Sequence, residues 1–452
     1  MHHAAQTASR PAARILRWPS HLLGPRPNLK ELHLACWGFF LGLMVMPVCF
    51  GFWVHHRVSP GTLPPIASGF TYFYGIGKIV DTYPIARLYD YPLQLRTFHE
   101  VWAQGSNEYG PSPYPPFIAL FFSLFARLSF ARAYAIWMIV SLALYVIGIV
   151  STAGIVFPRQ RMRQSLMVCL SLAYYPFLYG TLLNGRISTI EVCAIGVALL
   201  LESRGKPVFS GLALSALIYK PTLLLLILPA LLLTRRFRTL YGFLAGAALL
   251  LLATTGIVGY GIWIEYARFL SSFSHLHWLG NQSVLNYARY VDLKSLSYML
   301  PGGRSPAVLA LLAAFALGAA LSLAVLLWRS ARSSEPVQLL AWAAILTWTL
   351  ILNVYVPIYD SILVVPALSL TLAALHALRR QLAADGTALL AILILAFSWV
   401  SESIAQHHRF QILTFLFVIL GCLQLALLYR AQHHATPKSS QTAGAPHASV
   451  LP

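Results

Sequence analysis

Carboxylates are scarce in this chain. Its 452 residues hold 13 acidic side chains against 32 basic ones, and only 10% of all residues are charged. A soluble domain carries about 25%, so a soluble globular fold is excluded. There is no D-x-D pair, no G-x-G-x-x-G and no phosphate loop ending in G-K-S/T. Those gaps remove the common ways of holding a metal–nucleotide complex, and the chain has no room for a nucleotide-binding domain. The five cysteines, Cys36, Cys49, Cys169, Cys193 and Cys422, all fall in apolar segments at no metal-ligand spacing. They read as small buried hydrophobes, neither a disulfide framework nor a zinc site.

What the chain has in abundance is hydrocarbon. Hydrophobic residues make up 58% of it, in Leu/Ala-rich runs of about 20 residues, the length of a membrane-spanning helix. The runs are continuous, without the alternation of a transmembrane barrel strand. The net charge of +19 lies in short basic loops, as the positive-inside rule requires. With no basic soluble domain to carry it, nucleic acid is not an expected partner.

The expected fold is an all-α polytopic membrane bundle of about 12 helices, with both termini cytoplasmic. Residues 1–32 form a basic cytoplasmic tail (Arg10, Arg14, Arg17, Arg26, Lys30). The membrane domain runs from 33 to 430, with a first span at about His33 to Val54. Residues 431–452, rich in Ser, Thr, Pro and Ala, read as a disordered tail. Two polar stretches, about 55–113 and about 265–304, are expected on the extracytoplasmic side. In the first, Phe70 to Val80 is expected as an aromatic helix lying in the membrane interface. Between Pro115 and Phe157 two full crossings conflict with placing the basic run Arg159 to Arg163 inside. One segment there lies in the interface, or the basic run sits outside. Val208 to Thr234 has Lys220-Pro221 at its centre, which predicts two half-helices meeting at a break beside a cavity.

The first polar stretch holds four of the 13 acids, Asp81, Asp90, Glu100 and Glu108, among many aromatic residues. It contains Gly69-Phe70-Thr71-Tyr72-Phe73-Tyr74-Gly75-Ile76-Gly77, then Leu88-Tyr89-Asp90, and ends in Tyr114-Pro115-Pro116-Phe117. Trp137, Asn184-Gly185-Arg186, Lys220-Pro221, Arg235-Arg236 and Tyr359-Asp360 follow in order. In this order and spacing the chain resembles glycosyltransferase family 87, polytopic enzymes of the GT-C type that use polyprenyl-phosphate sugars. That group includes mycobacterial mannosyltransferases acting on phosphatidylinositol mannosides. The likeness runs from about Gly69 to Leu370. Two positions depart from the family pattern. Gly69 stands where the family's D-F motif has its catalytic aspartate, and Gly185-Arg186 stands where a G-Q pair is usual.

The resemblance implies an inverting hexosyltransferase, mannose-like in specificity, in the cell membrane. It would move a sugar from a polyprenyl-phosphate donor to a lipid or glycan acceptor on the extracytoplasmic side, among membrane lipids and without a cofactor. Such transfer needs a carboxylate to take the acceptor's proton and cations to hold the departing phosphate; a phosphate leaving group makes a metal optional. With Gly69 in the D-F position, Asp81 and Asp90 are the candidate catalytic bases, ahead of Glu100 and Glu108. The bland reading makes them turn residues. Lys220, Arg186 and Tyr114 are the donor-phosphate candidates, with Tyr359 and Asp360 in support. An intramembrane lysine is costly and is usually functional or paired; for Lys220 the structural alternative is a pair with Glu191 or Asp360. Two other readings compete: a polytopic lipid or glycan transporter, and a relic that binds lipid-linked sugar without transferring it. The Lys220-Pro221 break has no counterpart in the other half, which disfavours a transporter built from repeats.

Overall fold

The computed structural model describes residues 67–101, 110–272 and 287–434 apart from 301 and 304, with a few positions between 30 and 41. The basic tail at 1–29, most of the expected first span, Glu108, the centre of the second polar stretch and the end of the C-terminal tail lie outside the described residues.

The described chain is helical, with no strand beyond one isolated bridge between Tyr290 and Pro357. The first polar stretch folds into α1 (Ser68–Thr82) and α2 (Tyr91–Val101), followed by α3 (Pro116–Ala126) and α4 (Phe130–Val156). Next come α5 (Arg161–Leu172), a π-helical segment Pro176–Leu183, α6 (Thr189–Ser203) and α7 (Pro207–Leu214). A 3₁₀ turn Ser215–Tyr219 leads into α8 (Pro221–Leu233), then α9 (Phe237–Val258) and α10 (Gly261–Ser272). The last part holds α11 (Leu293–Met299), α12 (Pro306–Ser330), α13 (Glu335–Ile351), a 3₁₀ segment Ile358–Leu363 and α14 (Val364–Ala377). It closes with α15 (Gln381–Ser398), α16 (Ser401–His408) and α17 (Ile412–His434).

Six helices among the described residues are long and apolar enough to cross a membrane, or seven if the bent pair of α5 and the π segment is one span. Among the described residues, which leave out most of the expected first span, the expected count of about 12 is not reached. Apolar stretches such as α3, α8 and α13 are shorter than a full crossing. The conflict between Pro115 and Phe157 disappears for that reason. Helix α3 has 11 residues and spans about 16 Å against a hydrocarbon core of about 30 Å. Helix α4, with 27 residues, is the one full-length crossing there.

The aromatic segment after Ser68 forms the expected helix and packs one face into the protein. Phe70, Phe73, Ile76 and Ile79 are enclosed, and Phe73 stacks on Phe122 of α3 at 5.1 Å. Phe122 in turn meets Trp137 of α4 edge-on at 4.9 Å. Each such aromatic contact adds about 1 kcal/mol beyond burial. The polar stretch is therefore an aromatic lobe bolted to the bundle. Within the bundle, α4 and α6 approach through Gly148 and Gly196, where a Cβ on either would strike the other helix's backbone. Small residues at such contacts are how membrane helices pack closely.

Candidate active site where three helix breaks meet

Three interruptions of regular helix converge behind the aromatic lobe. The first is the turn Asn184-Gly185-Arg186 after the π segment. Gly185 has φ +73°, a conformation that favours glycine, and an added Cβ would lie 2.5 Å from the Phe70 Cβ. The second is Lys220. Its N–H closes the 3₁₀ turn on the Leu217 carbonyl at 2.9 Å. The next residue, Pro221, has no N–H to continue it, and Lys220 sits at φ −134°, ψ 77°. The two half-helices expected from the sequence are thus present, with the lysine at their junction. The third is Pro357, after which the chain forms the 3₁₀ segment carrying Tyr359 and Asp360.

Lys220 is tied to acids from two other elements. Its Nζ pairs with Asp360 Oδ2 and lies 3.6 Å from Glu191 Oε1. Both carboxylates are fully buried. Glu191 sits in the first turn of α6, where the helix dipole favours negative charge. Ser188 Oγ donates to Asp360 Oδ1 at 2.7 Å, and the Tyr219 hydroxyl donates to Glu191 Oε1 at 2.7 Å. Asp360 is thereby bonded through both oxygens. Glu191 Oε2 is buried without a hydrogen-bond partner, a condition that is rare for buried polar atoms and needs a reason. The structural alternative weighed for Lys220 is therefore realised with both acids.

Arg186 is different. No carboxylate among the described residues lies within ion-pair reach of it, and its Nε is buried without a hydrogen-bond partner. Its guanidinium rests over the ring of Tyr359 at 4.8 Å and near that of Tyr72 at 5.4 Å. Lys220 Nζ reaches the same Tyr359 ring at 5.6 Å. Two cations thus approach one aromatic ring, a contact that the ring quadrupole favours. Tyr114 joins this group. Its ring lies 4.9 Å from Phe73 and 6.4 Å from Tyr219. Burial pushes its phenol up to about 12, against the pull of the Lys220 and Arg186 charges, so it is a neutral hydrogen-bonding group.

The two departures from the family pattern are neighbours in space. A Cβ at Gly69 would lie 2.6 Å from Arg186 Nε and 2.6 Å from the Asn184 carbonyl oxygen. Arg186 therefore fills the space into which a side chain at 69 would project. Asn184 also caps the start of α1, accepting from Gly69 N at 2.6 Å and Ser68 Oγ at 2.8 Å through its side chain.

Asp81 and Asp90 stand elsewhere. Asp81, at the far end of α1, is exposed and pairs with Arg127 at 3.3 Å. Asp90 pairs with Arg87 at 2.7 Å and accepts from Leu93 N at 3.2 Å at the start of α2. The Arg87 hydrogen bond holds its carboxyl below the usual range. Neither bonds to a member of the Lys220 group. Glu100 is exposed beside Arg96 at 3.6 Å.

Several residues at this site gave no signal of their own in the sequence. Glu191 stands out only as a possible partner for Lys220, and Ser188 and Tyr219 not at all. The second polar stretch also contributes. Tyr290 donates to the Tyr355 hydroxyl at 2.8 Å, and Val291 N bonds to the Val356 carbonyl at 2.9 Å. Buried Asp292 locks this junction, accepting from Val356 N at 3.0 Å and Ser295 N at 2.8 Å. Among the described residues no group of three His, Cys, Asp or Glu side chains stands close enough to hold a metal ion.

Comparison with known proteins gives one match. No curated protein and no solved structure matches the chain. The family model for glycosyltransferase family 87 matches residues 113–353, more than half of the sequence. That region contains Tyr114, Arg186, Glu191 and Lys220; Asp360 and Gly69 lie outside it. With long apolar helices and this match, the chain is a membrane protein that belongs to glycosyltransferase family 87.

Proposed function

We propose that this membrane glycosyltransferase moves a hexose, mannose-like, from a polyprenyl-phosphate donor to a lipid or glycan acceptor on the extracytoplasmic side of the cell membrane, with inversion. The fold is taken as GT-C-like, and both termini as cytoplasmic. The observation that carries the donor reading is Arg186: a cation on an aromatic ring, without a carboxylate partner among the described residues, next to an ammonium that has two. A phosphate is the ligand such a guanidinium recognises.

In the proposed reaction an acceptor hydroxyl attacks the sugar's anomeric carbon. The bond from that carbon to the phosphate oxygen breaks, and the electron pair leaves with the polyprenyl phosphate. Arg186 carries the growing charge on the phosphate, with Tyr114 as a neutral donor beside it. Lys220 holds Asp360 and Glu191 in place. The acceptor proton passes to a carboxylate. Glu191 is the better candidate for this step than Asp81 or Asp90, because Oε2 has an unused lone pair at the site while the other two are engaged with Arg127 and Arg87.

The test is a panel of radiolabelled polyprenyl-phosphate sugars incubated with purified protein and mixed lipid acceptors. Consumption of the mannosyl donor, lost in Arg186→Met, supports the reading. Consumption of a nucleotide sugar instead overturns the donor class. Tight donor binding without turnover, in both the parent and Glu191→Gln, supports the relic.

A further inference from the structure

We propose that a cavity at the opposite end of α8 binds the phosphate headgroup of an anionic membrane lipid. The cavity has a volume of about 510 Å³ and is walled by the end of α6, the α8–α9 turn, the end of α12 and one face of α13. Helix α8 has 13 residues, so this cavity and Lys220 are about 20 Å apart along its axis. The proposal does not depend on the donor reading.

Three arginines and one carboxylate line the cavity: Arg235, Arg236, Arg238 and Glu202. The carboxylate is fully engaged. Glu202 Oε1 accepts from Arg236 at 2.6 Å, and Oε2 accepts from Thr239 at 2.8 Å. Arg236 is held further by Gln338 at 2.9 Å and by the ring of Trp342 at 5.5 Å. That leaves two cations. Arg235 lies over the Trp328 ring at 4.8 Å. No carboxylate among the described residues is within ion-pair reach of Arg235 or Arg238, and both side chains are exposed. The cavity thus has a rigid, satisfied base, Arg236 with Glu202 and Gln338, and a mouth carrying two uncompensated positive charges.

The surroundings select a lipid over a soluble anion. Leu232, Phe237 and Trp328, beside the mouth, are 49%, 59% and 55% exposed. On a membrane protein such exposed apolar groups face acyl chains, and tryptophan marks the headgroup level. An anionic lipid would lie with its chains along these residues and its phosphate between Arg235 and Arg238. Basic pockets between membrane helices bind anionic headgroups in this way. The positive-inside rule alone accounts for arginines here. It does not account for a cavity of headgroup size in which the one acid among the described lining residues is already engaged.

The experiment is native mass spectrometry of the full chain, extracted from detergent micelles containing equal amounts of phosphatidylglycerol and phosphatidylcholine. The parent protein is expected to retain phosphatidylglycerol preferentially. In R235Q/R238Q the preference should fall by about thirtyfold, the effect of two interfacial charges. In R235K/R238K it should largely persist. Both arginines are exposed, so the glutamine variant is expected to keep the parent's melting temperature. If it does not fold, salt titration of the parent serves instead, and a preference that weakens with salt supports the site. Equal retention of the two lipids by the parent, a preference unaffected by R235Q/R238Q, or one indifferent to salt overturns the proposal. Full displacement of phosphatidylglycerol by millimolar inorganic phosphate assigns the cavity to a free anion and overturns the lipid.

Discussion

The two ends of α8 carry the same kind of residue to opposite effect. At one end Lys220 is drawn into the protein, against two fully buried acids. At the other, Arg235 and Arg238 stay exposed at the edge of the apolar surface. The difference lies in what stops the helix. Pro221 breaks the chain inside the bundle, where the lysine side chain is only 15% exposed and an ammonium needs charged partners. The turn after Leu233 breaks it at a surface, where a cation is cheap. A basic residue in a membrane protein is therefore informative in proportion to what surrounds it, and the same sequence pattern, a basic residue beside a helix break, means different things at the two ends.

Breaking the buried end should have the largest effect. Lys220→Met leaves Asp360 and Glu191 buried without a countercharge, which costs about 3–5 kcal/mol. If Lys220 served only as a donor-phosphate contact, the variant would fold normally and lose only donor affinity. With both acids paired to it, the expected outcome is a large fall in melting temperature in detergent, partly restored in the triple variant Lys220→Met, Asp360→Asn, Glu191→Gln. An unchanged melting temperature for Lys220→Met would show that the lysine is not held as described.

Gly69→Asp comes next. The sequence invites it as a repair of the family motif. In the fold the new Cβ meets the Asn184 backbone oxygen as well as the Arg186 side chain. The expected outcome is destabilisation by about 1–3 kcal/mol and no gain of transfer. Removing the arginine, in Gly69→Asp with Arg186→Ala, should not fully relieve the strain, since the carbonyl stays. A more active Gly69→Asp protein would refute this packing.

The smallest effects belong to the acids outside the site. Asp90→Asn should cost about 1 kcal/mol at most, because asparagine can still cap α2, and Asp81→Asn less, as an exposed pair. Neither should change the transfer rate by more than a few-fold. For Asp90 the direction with pH follows from its lowered carboxyl. Its contribution to stability is complete above the ordinary aspartate value of 3.8 and is lost as pH falls through the lower folded value. Acid melting curves of the parent and Asp90→Asn should therefore converge only below that range and run parallel at neutral pH.

Much of this architecture was legible in the sequence, because hydrocarbon runs and prolines act locally. Long apolar helices form, as the hydrocarbon runs require, and the Lys220-Pro221 break is where the proline demands it. Tyr359-Asp360 and Arg186 come to the same place as Lys220. The rest of the site was only partly legible. Glu191 is readable as a partner for Lys220, but as a single acid in an apolar helix it has no spacing to mark it as a proton acceptor, and Ser188 and Tyr219 give no signal at all. The contact of Gly69 with Arg186 joins residues far apart in the chain, so their two departures from the family pattern look independent until the fold brings them together. The aromatic helix is legible only in part for a related reason: Phe and Tyr residues suit a membrane interface and an aromatic core equally well, and the packing on Phe122 and Trp137 shows only in the fold.

The central claim is that Arg186, not Lys220, is the cation left free for the donor phosphate. Its most direct test is the donor Michaelis constant of purified protein, measured with polyprenyl-phosphate mannose for the parent, Arg186→Lys and Arg186→Met. One charge-assisted contact is worth about 1.5–3 kcal/mol. Arg186→Met should therefore raise the constant by about tenfold to a hundredfold with the melting temperature nearly unchanged, and Arg186→Lys should fall between. A donor constant that stays the same in Arg186→Met, in a folded protein that still transfers sugar, would contradict the account.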